Sequence, residues 1–429
     1  MEYPTNRIPQ KSICIPAARP VDVSDLQAVL NHPCFQRLRY RKQLGINHLV
    51  FPGAVHTRFE HSIGVLGLTR HVCDVRRIQG AKARLLCLYA VLHDIGHGPF
   101  SHQIEPILDG DHHERGRVLI ETRLAAAVQA SGVHPEDIGE FIADPTTPRR
   151  LVDDRNLGTD KLDYLQRDAL HIGFTGVPDI ERILQYTVFT EGQPAIEEKF
   201  VEEVKRLQKF YSYLHQHGYL NKTALAVQRV LQRAVQEELS AGDMDPGALW
   251  DMTDAELRRS LQDGVSPRGR RLVQLLDTRD FHRSAVVVKA SGYGYMERTT
   301  GKSIKVLEWP VERIQAFTRR VDDCGTLRAL EDRLAGSLGV EPGAILLAAM
   351  PFFVKLVPRD VQVYSAAGSG NYRLFGKDPS HLASLEADYL RTFAIRVIVL
   401  PHLRRKVMDQ TETVETVLAE AARSSVAPC

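Results

Sequence analysis

Over residues 23–240 the chain reads as one succession of helical periods joined by short polar or glycine-containing turns, and no convincing alternating strand interrupts it. A stretch of this length without a period of two must bury its apolar residues by packing helix on helix. The segment 59–77 puts Ile63, Leu66 and Val72 near one stripe, and 81–92 is dense in Leu and Ala. The second of these should break just after His93 and Asp94, where Gly96, Gly98 and Pro99 follow. Residues 114–130 continue the helical style, and 160–171 sets Asp160, Asp163 or Tyr164, Arg167 or Asp168, and His171 near one face. A further helical stretch is expected over 197–239, interrupted at Gly218.

After a polar, Gly- and Pro-containing zone at 241–270 the texture changes. Beta-branched and aromatic runs predict strands over 285–289, 345–356, 361–364 and 393–400, separated by helices over 311–320 and 326–338. The expected fold is therefore mainly α, with an N-terminal segment (1–22), a helical core (23–275), a smaller α+β C-terminal portion (276–418) and a fraying tail (419–429). The 429 residues, 43% hydrophobic and 25% charged, exclude disordered, collagen-like and coiled-coil classes. A formal charge of +2 gives no global argument for nucleic acid or an anionic membrane, so nucleic-acid binding is not expected. Six scattered cysteines without a CxxC pair read as reduced thiols. No window approaches the roughly 18 apolar residues that a membrane span needs. A cytoplasmic, soluble protein without membrane attachment is the expectation.

Many of the 17 histidines crowd between His48 and His113, where they recur beside Asp and Glu. Four positions stand out: His61, the adjacent His93 and Asp94 at a helix end, and Asp160 at the start of another helix. Imidazole plus carboxylate suits Mn, Fe, Zn or Ni, and open coordination positions would make such a site catalytic. Taken singly, each residue has a plain structural explanation as a cap, a salt-bridge partner or a satisfied core histidine. The run 93–102, however, packs three histidines and two glycines into ten positions, a costly arrangement for a helix end with only packing to do.

The ordered set His61, His93-Asp94, Asp160 resembles the H…HD…D signature of HD-domain metal-dependent phosphohydrolases. Within that superfamily the chain is similar to the dNTP triphosphohydrolases related to the vertebrate sterile-alpha-motif and HD-domain enzyme. The likeness rests on Phe35-Gln36-Arg37-Leu38-Arg39-Tyr40, Lys42-Gln43-Leu44-Gly45, Phe51-Pro52-Gly53-Ala54, Arg58-Phe59-Glu60-His61-Ser62, the run 93–102, His113-Glu114, Asp160-Lys161-Leu162-Asp163-Tyr164 and Arg167-Asp168. It implies that His61, His93, Asp94 and Asp160 hold a transition-metal ion, manganese among the candidates, with Mg accompanying the nucleotide. It further implies phosphate contacts from Arg58, Lys161 and Tyr164, and acid–base roles for His102 and His113, with His97 nearby. Gln43 and Asp168 match residues on the sugar 3′-hydroxyl, and Leu44 and Tyr219 match those crowding the 2′ position. His215 and Lys222 fall in the same matched region.

The implied reaction is hydrolysis of a deoxynucleoside triphosphate to deoxynucleoside and triphosphate by a homo-oligomer, a dimer or tetramer. The same metal site would also serve another phosphoester, such as a monophosphate, a cyclic nucleotide or an alarmone, and the fold would also serve a non-catalytic nucleotide sensor. Gln36, Arg39 and Arg182 match an activator-nucleotide site, whereas Asn31 stands where the family has an Asp reading guanine. An amide offers one acceptor oxygen to guanine's two donors, which points to a different activator or to a constitutive oligomer. Tyr211 occupies the position of a family arginine. Gly301-Lys302-Ser303 resembles the end of a P-loop but has Met296 where glycine is required, and His112-His113-Glu114 lacks the second histidine of a zincin.

Overall fold

The computed structural model describes residues 11–108, 110–144, 147–242, 244–298, 304–349, 357–366 and 370–423. Residues 1–10 of the N-terminal segment, the 301–303 run, 350–356 of the strand expected over 345–356, and 424–429 of the tail, Cys429 included, lie outside them. Helices dominate, as the periodicity predicts. Helix α1 (Arg58–Arg76) starts at Thr57, whose hydroxyl accepts from the Glu60 amide at 3.3 Å. It packs against α2 (Gly80–Leu92), which stops where the glycines begin. The segment 114–130 is not one helix: α3 (His112–Glu121), capped by the Asp111 carboxylate, is followed by a turn and a separate short helix, Ala125–Ala130. Helix α4 (Thr159–Ile172) lies on α1 and ends at Gly173 in the left-handed conformation.

Strands β1 (Thr187–Thr190) and β2 (Gln193–Glu197) form an antiparallel hairpin in a region read as helical throughout. Two strands of four and five residues give too short an alternation to stand out beside helical periods. Helix α5 (Val201–Leu214) runs through a π turn, His215–Tyr219, before α6 (Lys222–Ala241), so the interruption falls at Gly218 as expected. The supposed polar zone contains α7 (Asp254–Asp263), opened by a Thr253/Glu256 capping box, and α8 (Pro267–Asp277), opened by Ser266 with proline in its first turn. Its Gly and Pro residues are helix punctuation.

The C-terminal part supplies β3 (Arg283–Ala290), β4 (Lys305–Trp309), α9 (Val311–Arg320), α10 (Cys324–Ser337), β5 (Ile345–Ala349), β6 (Gln362–Tyr364), β7 (Tyr372–Arg373), α11 (Pro379–Thr392), β8 (Ile395–Val399) and α12 (Thr411–Arg423). One four-stranded sheet has the order β4-β3-β8-β5, and the other β1-β2-β6-β7, with β6 parallel to β2. Ile63, Leu66, Leu88 and Leu165 belong to a first core that also takes in Val361, Val363 and Leu374 from beyond residue 360. A second core joins Leu231, Leu257 and Leu272 of α6–α8 to Val286, Trp309, Leu346 and Val397 of the larger sheet and its edge. Residues 419–423 of the expected tail complete α12, with Ala419 and Ala421 buried.

Candidate active site

The first core carries the histidine and carboxylate cluster on three elements. His61 sits one turn into α1, His93 and Asp94 directly follow α2, and Asp160 opens α4. The α1–α2–α4 packing turns the His61, His93 and Asp160 donor atoms to within 4.8 Å of one another. His61 is fully buried, with Nδ1 at 2.8 Å from Asp163 Oδ2 and Nε2 at 3.1 Å from Asp160 Oδ1. Burial opposes charge on this ring, but its bonds to Asp160 and Asp163 outweigh that and push its pKa up to about 10. His93 Nδ1 donates to the Ala90 carbonyl at 2.8 Å, which directs the Nε2 lone pair inward.

Buried His93 Nε2 has no hydrogen-bond partner, and it lies 3.5 Å from Asp94 Oδ1 and 3.6 Å from Asp160 Oδ1. The fourth residue, Asp94, is held by the buried Arg58 guanidinium, and its Oδ2 stands 3.6 Å from His61 Nε2. Against the cost of burial, Arg58 and then His93 hold the Asp94 carboxyl well below its ordinary range. An orphaned imidazole nitrogen facing a second imidazole and two carboxylates is the donor set of a divalent transition metal. The residues present fit such an ion.

Arg58, expected on phosphate, is committed on both sides, since its Nε also donates to Ser101 Oγ at 2.7 Å. Lys161 is buried, and its Nζ donates to the Arg155 carbonyl at 2.6 Å while lying 3.5 Å from the centre of the Tyr211 ring. Burial brings its pKa down to about 7. The residues expected at the sugar converge with it. Tyr211 leans on His215, His215 on Tyr219, and the Tyr219 hydroxyl donates to Asp168 Oδ2 at 2.5 Å. His56 Nε2 meets the other Asp168 oxygen at 2.7 Å, and the His56 carbonyl accepts from the Gln43 amide at 3.0 Å. Gln43 Oε1 is buried without a partner, beside half-buried Leu44. Tyr164 packs against the same core, where burial, then its neighbours Tyr211, Asp160 and Asp168, raise its hydroxyl well above the usual range. Burial, reinforced by Lys161, lowers His215 to about 3.

The remaining histidines gather around a carboxylate that the sequence reading overlooked. Glu105 Oε2 binds His102 Nδ1 at 2.9 Å and Glu105 Oε1 binds His112 Nδ1 at 2.6 Å. His97 stacks on His112, and its Nε2 stands 3.4 Å from Asp94 Oδ1, so the cluster adjoins the metal donors. His102 is 66% exposed, whereas His113 sits at the start of α3 with its ring against His112. Asp163 and His56 were also missed as site residues. Glu105 and Asp163 each follow a singled-out residue by three positions on a helical turn, a spacing that would have found them. At the activator positions, Arg39 Nε donates to Gln36 Oε1 at 2.8 Å and its guanidinium covers Phe59, while Asn31 is exposed. Arg182 lies over Phe200 instead, and no hydrogen bond or ion pair joins it to Gln36 or Arg39 among the described residues.

Gly96 lets the histidine run approach α3. A Cβ there would lie 1.9 Å from the His112 carbonyl oxygen and 2.5 Å from the Gly116 nitrogen, both backbone atoms. Gly96→Ala is therefore expected to cost at least about 1–3 kcal/mol, the range of core overpacking. Thermal unfolding equal to wild type would contradict this packing.

Residues 58–167 match the family model of the HD domain. An uncharacterized Bacillus subtilis protein, YwfO, is 34% identical over 255 residues, 55% of this chain and 59% of that one. The deoxynucleoside triphosphate triphosphohydrolase SAMHD1 homolog of Dictyostelium discoideum is 28% identical over 284 residues, 58% of this chain and 54% of its own length. The chain thus matches little more than half of either relative. A solved phosphohydrolase from Bacteroides thetaiotaomicron has the same fold, with a TM-score of 0.67 at 18% identity, covering 91% of this chain and all of that one. With the donor residues gathered as the signature requires, residues 58–167 match the HD domain, and the chain is similar to proteins that carry it.

Proposed function

We propose that the chain hydrolyses deoxynucleoside triphosphates to deoxynucleoside and triphosphate. The observation that carries this reading is the sharing of one helix, α4, by a metal donor (Asp160) and a sugar-facing carboxylate (Asp168), with Lys161 and Tyr164 between them. His61, His93, Asp94 and Asp160 would hold a divalent ion, which would supply Lewis-acid chemistry to a phosphoryl oxygen and to the attacking water. Asp168 keeps unused lone pairs beside Tyr219 and His56, and orphaned Gln43 Oε1 is an acceptor for the same sugar hydroxyl. Tyr219 and Leu44 would limit the room for a 2′-hydroxyl. When water attacks the α-phosphorus, the bond to the sugar 5′-oxygen breaks and that oxygen takes a proton, for which His102 on Glu105, or His113, is suited. Glu105, pulled down by His102 and His112 against its own burial, keeps its negative charge to orient the donor.

The named activity of the SAMHD1 relatives supports the same reaction, and Mg on the nucleotide, a homo-oligomer and an activator nucleotide near Asn31, Gln36 and Arg39 are part of the same proposal. Turnover of the four dNTPs and four NTPs, separately and mixed, with Mn and with Mg, tests it by chromatography of the products. Triphosphate released from deoxynucleotides alone is the expected result, and activity only in mixtures would reveal an activator. Release of orthophosphate, or equal turnover of ribonucleotides, would overturn it. His102→Ala is expected to slow turnover by about 10²–10⁴-fold with metal content intact. If the variant loses its metal, His102 is a ligand instead.

A further inference from the structure

A cleft of about 530 Å3 opens directly beside the donor cluster, with His93, Asp160 and His113 in its wall. None of Gln43, Asp168, His215 or Tyr219 lines it, so the metal donors are approached from a second side. Four guanidinium groups surround this opening: Arg117 from α3, and Arg149, Arg150 and Arg155 from the helical turn Arg150–Asp153 and its flanks. Among the described residues its only carboxylates are Asp153 and Asp160. Asp160 belongs to the metal donors, and Asp153 accepts from the Tyr89 hydroxyl at 2.9 Å while lying 3.3 Å from Arg149.

The arginines are thus poorly matched by anions of the protein itself. Arg149 Nε is buried without a partner. Arg117 has an exposed pairing with Glu121 at 3.4 Å, of a kind worth little. Among the described residues, the Arg150 and Arg155 side chains make no hydrogen bond or ion pair. A concave wall with this excess of positive charge focuses the field on an anion, and guanidinium is the side chain best shaped to bind phosphate oxygens in pairs. An orthophosphate would occupy only a small part of the cleft and could not engage both segments.

We infer that this cleft is a subsite for a linear polyphosphate, with its first phosphate at the donor cluster and its distal phosphates along Arg117, Arg149, Arg150 and Arg155. This deepens the proposed function, on whose metal site it rests, by making the phosphate chain a main determinant of which substrates bind.

Binding can be measured without turnover. Metal-loaded full-length protein is equilibrated by dialysis with radiolabelled inorganic triphosphate and, separately, orthophosphate, and metal content is assayed before and after so that stripping of the ion is not scored as binding. The comparison is wild type against Arg117→Ala/Arg150→Ala, both positions being exposed, with Arg155→Ala as a second variant. Triphosphate should bind wild type at least tenfold more tightly than orthophosphate, and the double variant should lose about tenfold, the combined effect of two exposed charged contacts, with a shallower salt dependence. Equal triphosphate affinity in wild type and both variants, or no preference over orthophosphate, would overturn the inference. Arginine-dependent triphosphate binding without dNTP turnover would uphold the subsite and remove the proposed reaction. Turnover of dNTPs with triphosphate affinity unmoved in the variants would do the reverse.

Discussion

Asp94→Ala is expected to leave less than roughly a few per cent of wild-type turnover, because it would remove both a proposed metal ligand and, among the described residues, the only carboxylate paired with Arg58. The Arg58 side chain is buried at the start of α1, one turn from His61, with Ser101 as its other side-chain partner. Removing Asp94 strands that guanidinium in the core, a situation that costs about 3–5 kcal/mol. Two readouts are therefore needed: metal content per chain, and denaturant unfolding with and without metal. Asp94→Asn separates them, since the amide oxygen still accepts from Arg58 while the ligand charge is lost. Substantial activity in well-folded Asp94→Ala would sink the assignment of Asp94 to the metal.

Asp163→Ala should strike the same centre without touching the ion. Asp163 accepts from His61 Nδ1 at 2.8 Å and pairs with Arg167, whose Nε and a terminal nitrogen lie 2.9 and 2.8 Å from its two oxygens. The carboxylate fixes which imidazole nitrogen faces inward and which way the ring points. Losing such an outer partner typically lowers metal affinity by about 10–100-fold. Arg167 keeps Glu60 at 2.8 Å and the Pro16 carbonyl at 2.7 Å, so its stability cost should fall below that of Asp94→Ala. Titration with Co or Mn checks the affinity. A value within twofold of wild type would mean that His61 is held in place by packing alone.

The candidate metal donors stood out because their signature is written in short local runs at helix ends, and helices declare themselves by period. The helices over 58–76, 80–92 and 159–172 were anticipated to within a residue or two for that reason. What escaped was decided at a distance. The pairing of β2 with β6 joins residues 195–197 to 362–364, and no local pattern announces such a partner. Helices α7 and α8 were hidden by residues that the structure uses as caps. Glu105 was passed over although its i,i+3 spacing from His102 was readable, because its second partner, His112, meets it only through packing. Arg58 and Lys161 were recognised by residue type, but their burial and protein-internal partners follow only from packing.

The β2–β6 pairing bears on how the protein is made. Val361, Val363 and Leu374 complete the first core, yet they follow β2 by more than 160 residues. At translation rates of roughly 5–20 residues per second, the HD region would wait on the order of ten seconds or longer for its last core residues to be synthesised. During that interval the edge of β2 and the apolar surface under β6 are uncovered, so the nascent chain carries an aggregation-prone strand edge that only its own distal half can close.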